Sequence, residues 1–120
     1  GLANAMSGIL NAARARVPIL VTVGQQVREM LPGAPFLGGD VVGLARPLVK
    51  GAWEAASPGE LPGLLSLAVR TALTPPRGPV VLSLPLDVQA GPAPPPHRPE
   101  APLAAPPPPG PALDRAAALL

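Results

Sequence analysis

Apolar positions along this chain keep two rhythms. Met6, Ile9, Leu10 and Ala13 recur at the three-and-four interval of a helix, with Asn4 placed to cap its first turn through the side-chain oxygen. Arg14 and Arg16 close that helix at the negative end of its dipole, and Pro18 forbids its continuation. Ile19 to Val23 then run without polar alternation and are mostly β-branched, which predicts a strand covered on both faces. Gly24 permits a turn there, delivering Gln25 and Gln26 to the rim of the sheet. Ligands of open parallel sheets sit beyond the carboxyl ends of the strands, so these amides are the first candidates for chemistry.

Downstream, Val27 to Leu31 predicts a short helical turn, and Pro32, Gly33, Pro35, Gly38 and Gly39 a loop of the kind that shapes pockets. Asp40 caps a short helix through Val41, Val42 and Leu44 that Pro47 ends, and Leu48 to Trp53 is a second strand. Ser57-Pro58-Gly59-Glu60 carries a cap, a proline at the first helical position and a glutamate three residues on. The helix it opens runs to Leu73, with Leu61, Leu64, Leu65, Ala68, Val69 and Ala72 on the face toward the sheet. Thr74 to Gly78 is a turn, and Pro79 to Leu84 a third strand buried on both faces. Strand, long helical crossover and strand make a parallel pair, since an antiparallel partner needs only a hairpin. The fold class expected is α/β: three αβα layers around a mainly parallel, doubly wound sheet over residues 1–90. Residues 91–111 form a proline-rich linker, and residues 112–120 start a following domain. A domain of this kind rarely opens on a helix, so we expect strands before Gly1 and more chain after Leu120, and only marginal folding without them.

Composition sharpens this picture. Charged residues make up 13% and apolar residues 48% of the 120, too little charge to coat a free-standing small domain, so other protein is expected to cover part of it. The net charge of +2 is spread over scattered arginines with almost no aromatic company, which points away from nucleic acid. The chain has no cysteine for a disulfide or thiolate metal site, and no apolar run of the roughly 20 residues a membrane span needs. A cytoplasmic protein is the expectation. No phosphate-binding glycine loop and no serine in an elbow context occur.

Asn4 followed by Pro18, the apolar strand and Gly24-Gln25 resembles a segment of the thiamine-diphosphate-dependent decarboxylases and acetolactate synthases. So do Arg46-Pro47-Leu48-Val49-Lys50 and the stretch from Arg77 to Val88. Together these cover residues 1–90 and are similar to the domain that holds the pyrimidine ring of the cofactor. Asn4-Ala5-Met6 and the doubled Gln25-Gln26 are most like the benzoylformate decarboxylase branch. The loop from Leu31 to Asp40 departs from both branches with extra Pro and Gly, so the resemblance does not fix the substrate; an acetolactate-synthase-like carboligase is the near alternative. The resemblance implies thiamine diphosphate and Mg2+ as cofactors, a 2-oxo acid as substrate and another copy of the chain as partner, with the active site between two subunits. It implies that the catalytic glutamate and histidine lie upstream of Gly1, that the diphosphate and metal belong to another domain, and that this chain alone is inactive. Asn4 and Gln25 then become cofactor-binding candidates, and Leu44 and Arg46 a peripheral cation site in which Gly43 replaces an expected asparagine.

Plainer readings stand beside these. Asn4 serves as a helix cap, and Gln25 and Gln26 satisfy backbone groups at a strand end. Arg46 and Lys50 are surface or interface charges, Asp87 caps the last strand, and Trp53 is core or a subunit contact. His97 lies among prolines without an orienting partner. A reading from another class makes the chain a binding module whose Pro94-Pro95-Pro96 and Pro106 to Pro109 runs dock in an aromatic groove.

Overall fold

Val80–Pro85 is the strand about which the molecule is built, and the structure, a computed structural model, describes residues 1–92, Pro95 and residues 110–119. With β1 (Leu20–Gln25), β2 (Gly51–Glu54) and β3 (Val80–Pro85), the sheet order is β1-β3-β2, and both pairings are parallel. β3 is buried along almost its whole length, with Val80, Val81, Leu82 and Ser83 at 0% exposure. Its run of Val and Leu suits a strand packed on both faces.

Helices supply those faces. α1 (Leu2–Arg14) and α2 (Val41–Ala45) cover one, where Leu2, Ile9, Ala45 and Val81 cluster with Met6, Val21, Val23 and Ala52. α3 (Leu61–Leu73) covers the other, with Ala68 and Ala72 on Val80, Leu20 and Trp53. The expected three-layer α/β architecture with a parallel sheet is therefore present. Trp53 belongs to the core, and its ring lies over Gly51, where a Cβ would stand 2.3 Å from the indole. α4 (Leu86–Gln89) follows β3 directly, and α5 (Gly110–Ala117) begins inside the stretch assigned to the linker, most of which lies outside the described residues, as does His97.

Several local expectations are corrected. Asn4 does not cap α1: its amide donates to Gly1 O at 3.1 Å, so it already sits in the first turn, and Gly1 holds the cap position. The cause is Leu2, which is buried and extends the apolar face toward the N-terminus. The backbone does not turn at Gly24; β1 continues through it to Gln25, and no described glycine has positive φ. β1 is an edge strand with Thr22 and Gly24 exposed, so burial on both faces belongs to β3 and not to β1. The second strand starts at Gly51, not Leu48, because the fixed φ of Pro47 suits the 3-10 turn of Arg46–Leu48. Ser57 makes no side-chain cap bond; Glu60 Oε2 instead accepts from the Ala56 amide at 3.0 Å. On α3, Leu65 and Val69 are exposed, so its buried stripe is narrower than the spacing suggests.

The end of α1 is a Schellman motif. Val17 N donates to Ala12 O at 2.9 Å and Arg16 N to Ala13 O at 3.2 Å, with Arg16 left-handed at φ 54°. Glycine is the usual occupant, because a side chain in this conformation costs roughly 1–2 kcal/mol. At the end of α3 a cation does the capping: Lys50 Nζ donates to Thr71 O and Thr74 O, both at 2.6 Å. Lys50 is thus a helix-terminus ligand that complements the dipole, and not a free surface charge.

Arg16→Gly is expected to stabilise the fold by about 1 kcal/mol, raising Tm by roughly 4–8 °C in a domain of this size. Arg14→Gly, two residues earlier in regular helix, is expected to destabilise by about the same amount. Thermal unfolding followed by circular dichroism reads both, and a fall in Tm for Arg16→Gly would refute the strain argument.

Candidate functional site

Gln25 ends β1 and is 6% exposed, pointing to the face covered by α1 and α2. Parallel register sets its neighbours: Gln25 stands opposite Pro85, and Glu54 opposite Ser83 on the other side of β3. Three polar side chains thereby meet at the carboxyl end of the sheet. Ser83 Oγ donates to Glu54 Oε2 at 2.8 Å, and Gln25 Nε2 donates to Gly39 O at 2.7 Å and, more distantly, to Glu54 Oε2 at 3.5 Å. Gln25 Oε1 accepts the Gln26 amide at 3.0 Å, so both ends of the buried amide are satisfied.

A recess of about 430 Å3 opens over this cluster, lined by Gln25, Glu54, Asp40 and the apolar Leu31, Val41 and Val42. Asp40 takes its expected cap role, its Oδ1 accepting from Gly43 N at 2.7 Å. A Cβ at residue 43 would meet the Asp40 carboxylate at 2.1 Å, so glycine here belongs to the cap. Gln26 Nε2 donates to Phe36 O at 3.4 Å. Each of the paired glutamines thus tethers the 34–39 loop by a main-chain carbonyl, which is the plain reading of them; Gln25 also walls the recess.

Asn4 is exposed on α1 and lines no part of this recess. Gly1, Leu2 and Ala5 border a second recess of about 490 Å3 along the open edge of β1. Leu44 and Arg46 lie at the end of α2 and just after it, both exposed, offering a bound ion main-chain carbonyls only. Among the described residues no group of three His, Cys, Asp or Glu could hold a metal ion, and no helix is long and apolar enough to cross a membrane.

Glu54 and Ser83 escaped the sequence reading. The signal for Glu54 was available: it ends β2 as Gln25 ends β1, and the strand-end rule applies to both. Asp87 does not cap the last strand; it sits in α4 and pairs with Arg28. Arg28 Nε and Nη2 both reach Asp87 Oδ2 at 2.7 Å, Arg28 N donates to Asp87 Oδ1 at 3.2 Å, and Arg28 Nη1 donates to Ala56 O. One arginine therefore fastens together the segments that follow all three strands.

A parallel three-layer α/β domain with polar side chains gathered at the carboxyl end of its sheet is the class the fold defines, and sequence comparison names the family. The chain belongs to the thiamine-diphosphate-dependent enzymes. Within them it is related to benzoylformate decarboxylase: it is 43% identical over 95 residues to that enzyme of Pseudomonas aeruginosa, covering 78% of this chain and 18% of the relative. It is 33% identical over 87 residues to the acetolactate synthase large subunit of Haemophilus influenzae, covering 72% of this chain and 15% of the relative. The solved benzoylformate decarboxylase of Polynucleobacter necessarius superposes with a TM-score of 0.77 at 38% identity, over 87% of this chain and 20% of that one. The 4-hydroxybenzoylformate decarboxylase of Rhodococcus jostii RHA1 gives 0.74 at 38% identity, over 79% of this chain and 18% of that one. The chain thus spans about a fifth of the length of these relatives. No protein-family model matches it.

Burial raises the pKa of the Asp87 carboxyl, but hydrogen bonds from the Arg28 side chain and main chain, with the Arg28 charge, outweigh it and leave it lowered. A depressed folded-state pKa stabilises the fold above the unfolded-state value and loses that stability as pH falls through the folded-state value. The Arg28→Met variant is expected to lose less stability than wild type between neutral pH and acid below the ordinary aspartate range. Denaturant titrations at a series of pH values measure this; parallel profiles would dismiss the clamp.

Proposed function

We propose that this chain is part of a thiamine-diphosphate-dependent 2-oxo acid decarboxylase acting on a benzoylformate-like substrate. The observation carrying this reading is the 43% identity to benzoylformate decarboxylase across the segment that builds the Gln25 recess. The lower 33% identity to an acetolactate synthase favours decarboxylation over carboligation. In this reading the chain is a pocket wall in a cytoplasmic enzyme built from more than one copy.

The residues fit the pyrimidine end of the cofactor and not its metal end. An apolar recess with a few fixed polar groups suits an aromatic ring, whereas among the described residues no group of three His, Cys, Asp or Glu could hold a metal ion. When bound, thiamine diphosphate supplies the electron sink that lets carbon dioxide leave a 2-oxo acid. The work of this chain is positional. Gly39 O and Glu54 hold the amino end of the Gln25 amide inward, leaving its carbonyl oxygen a free lone pair for a donor. Leu31, Val41 and Val42 supply the apolar side of that wall. The diphosphate, Mg2+ and proton-transferring groups are assigned to protein outside this chain.

The test is calorimetric titration of thiamine diphosphate with Mg2+ into the protein as its gene encodes it, alongside carbon dioxide release from benzoylformate. Gln25→Ala is expected to weaken cofactor binding about tenfold, the equivalent of one buried hydrogen bond. Folded wild-type protein that binds no cofactor would overturn the reading. Turnover of pyruvate to a carboligation product, with benzoylformate untouched, would transfer it to the acetolactate synthase branch.

A further inference from the structure

The topology sorts charges that look scattered in the sequence. Glu29, Asp40, Glu54, Glu60 and Asp87 each lie in a segment that ends or follows a strand, so they gather at the carboxyl end of the sheet. Arg14, Arg16, Lys50, Arg70 and Arg77 each lie on the approach to a strand, so they gather at the amino end. Parallel strands enforce this, because every strand is entered from the same side. Arg16, Lys50 and Arg77 line one recess there, of about 350 Å3, among the apolar Ala13, Pro47 and Leu48 and with no carboxylate in its lining.

Helix poles account for only part of this charge. α1 and α3 both end at this side, each with about half a negative charge. Arg14 and Arg70 occupy their last turns, and Lys50 is bound to α3 carbonyls. Those three cations already exceed the roughly one unit of negative charge at the two helix ends, and Arg16 and Arg77 add to them over the recess. The scaffold around them is fixed: Arg16 by the Schellman bonds, and Lys50 by two carbonyls and the packing of its stem beside Gly78.

We propose that this recess binds a small organic phosphate. A guanidinium fork matches a pair of phosphate oxygens, and two arginines together complement a dianion. The proline and aliphatic lining covers a short carbon skeleton, and no aromatic side chain is present to stack a nucleobase. The volume lies near the lower end of the roughly 300–1,000 Å3 common for ligand sites. The site lies at the opposite end of the sheet from Gln25 and does not depend on the decarboxylase reading.

The experiment is calorimetric titration of glycerol 3-phosphate and of inorganic phosphate into the protein as its gene encodes it, at constant ionic strength. Thiamine diphosphate is held at saturation throughout, to fill any diphosphate site elsewhere. Both probes should bind saturably, glycerol 3-phosphate the tighter, and Arg77→Ala and Arg16→Gly should each weaken both at least tenfold. Arg16→Gly preserves the left-handed backbone, so its loss of binding does not arise from unfolding. Arg14→Ala, at the same end but outside the recess, should change affinity less than twofold. Equal losses for Arg14→Ala would mean a diffuse field and overturn the site, as would no binding, or binding indifferent to Arg16 and Arg77. Equal affinity for the two probes would overturn the organic part of the assignment.

Discussion

Everything in this fold hangs on β3, the last strand in sequence and the middle one in space. β1 and β2 do not pair with each other; each finds its hydrogen-bonding partner only in β3. The same strand places Val81 in the α1 and α2 layer and Val80 in the α3 layer, so both cores are anchored on it. Two buried faces and two paired edges explain why its side chains are almost wholly apolar. They also explain the one exception: Ser83 is admitted because Glu54 accepts its hydroxyl proton.

Parallel pairing has a second effect, which is to give the sheet two chemically different ends. The carboxyl end collects Gln25, Glu54 and the acidic residues, with Arg28 tying its loops together across Ala56 and Asp87. The amino end collects arginines and Lys50, beside the terminal carbonyls of α1 and α3. Neither gathering requires any two of these residues to be near one another in sequence.

That separation decides what was legible beforehand. The parallel sheet, its three layers and Gln25 at its rim follow from strand-like runs divided by a long helix, while the burial of Gln25 does not. The Asp40 cap is local chemistry and could also be read. Glu54's place at a strand end could be read as Gln25's was, but its meeting with Ser83 by register, and that of Arg28 with Asp87 some sixty residues away, leave no trace in a window of ten. Asn4 misled because a good capping residue lay one turn inside a helix whose true start was fixed by burial of Leu2. Gly24 misled because glycine permits a turn without requiring one.

The chain has a single tryptophan, Trp53, pressed over Gly51 against the α3 layer. Its indole emission is therefore a natural optical gauge of one layer and blind to the other. A red shift marks α3 parting from the sheet, while α1, α2 and the Gln25 recess can loosen without any change in colour. Fluorescence and far-ultraviolet dichroism followed together on unlabelled protein can accordingly tell which side of the sheet opens first.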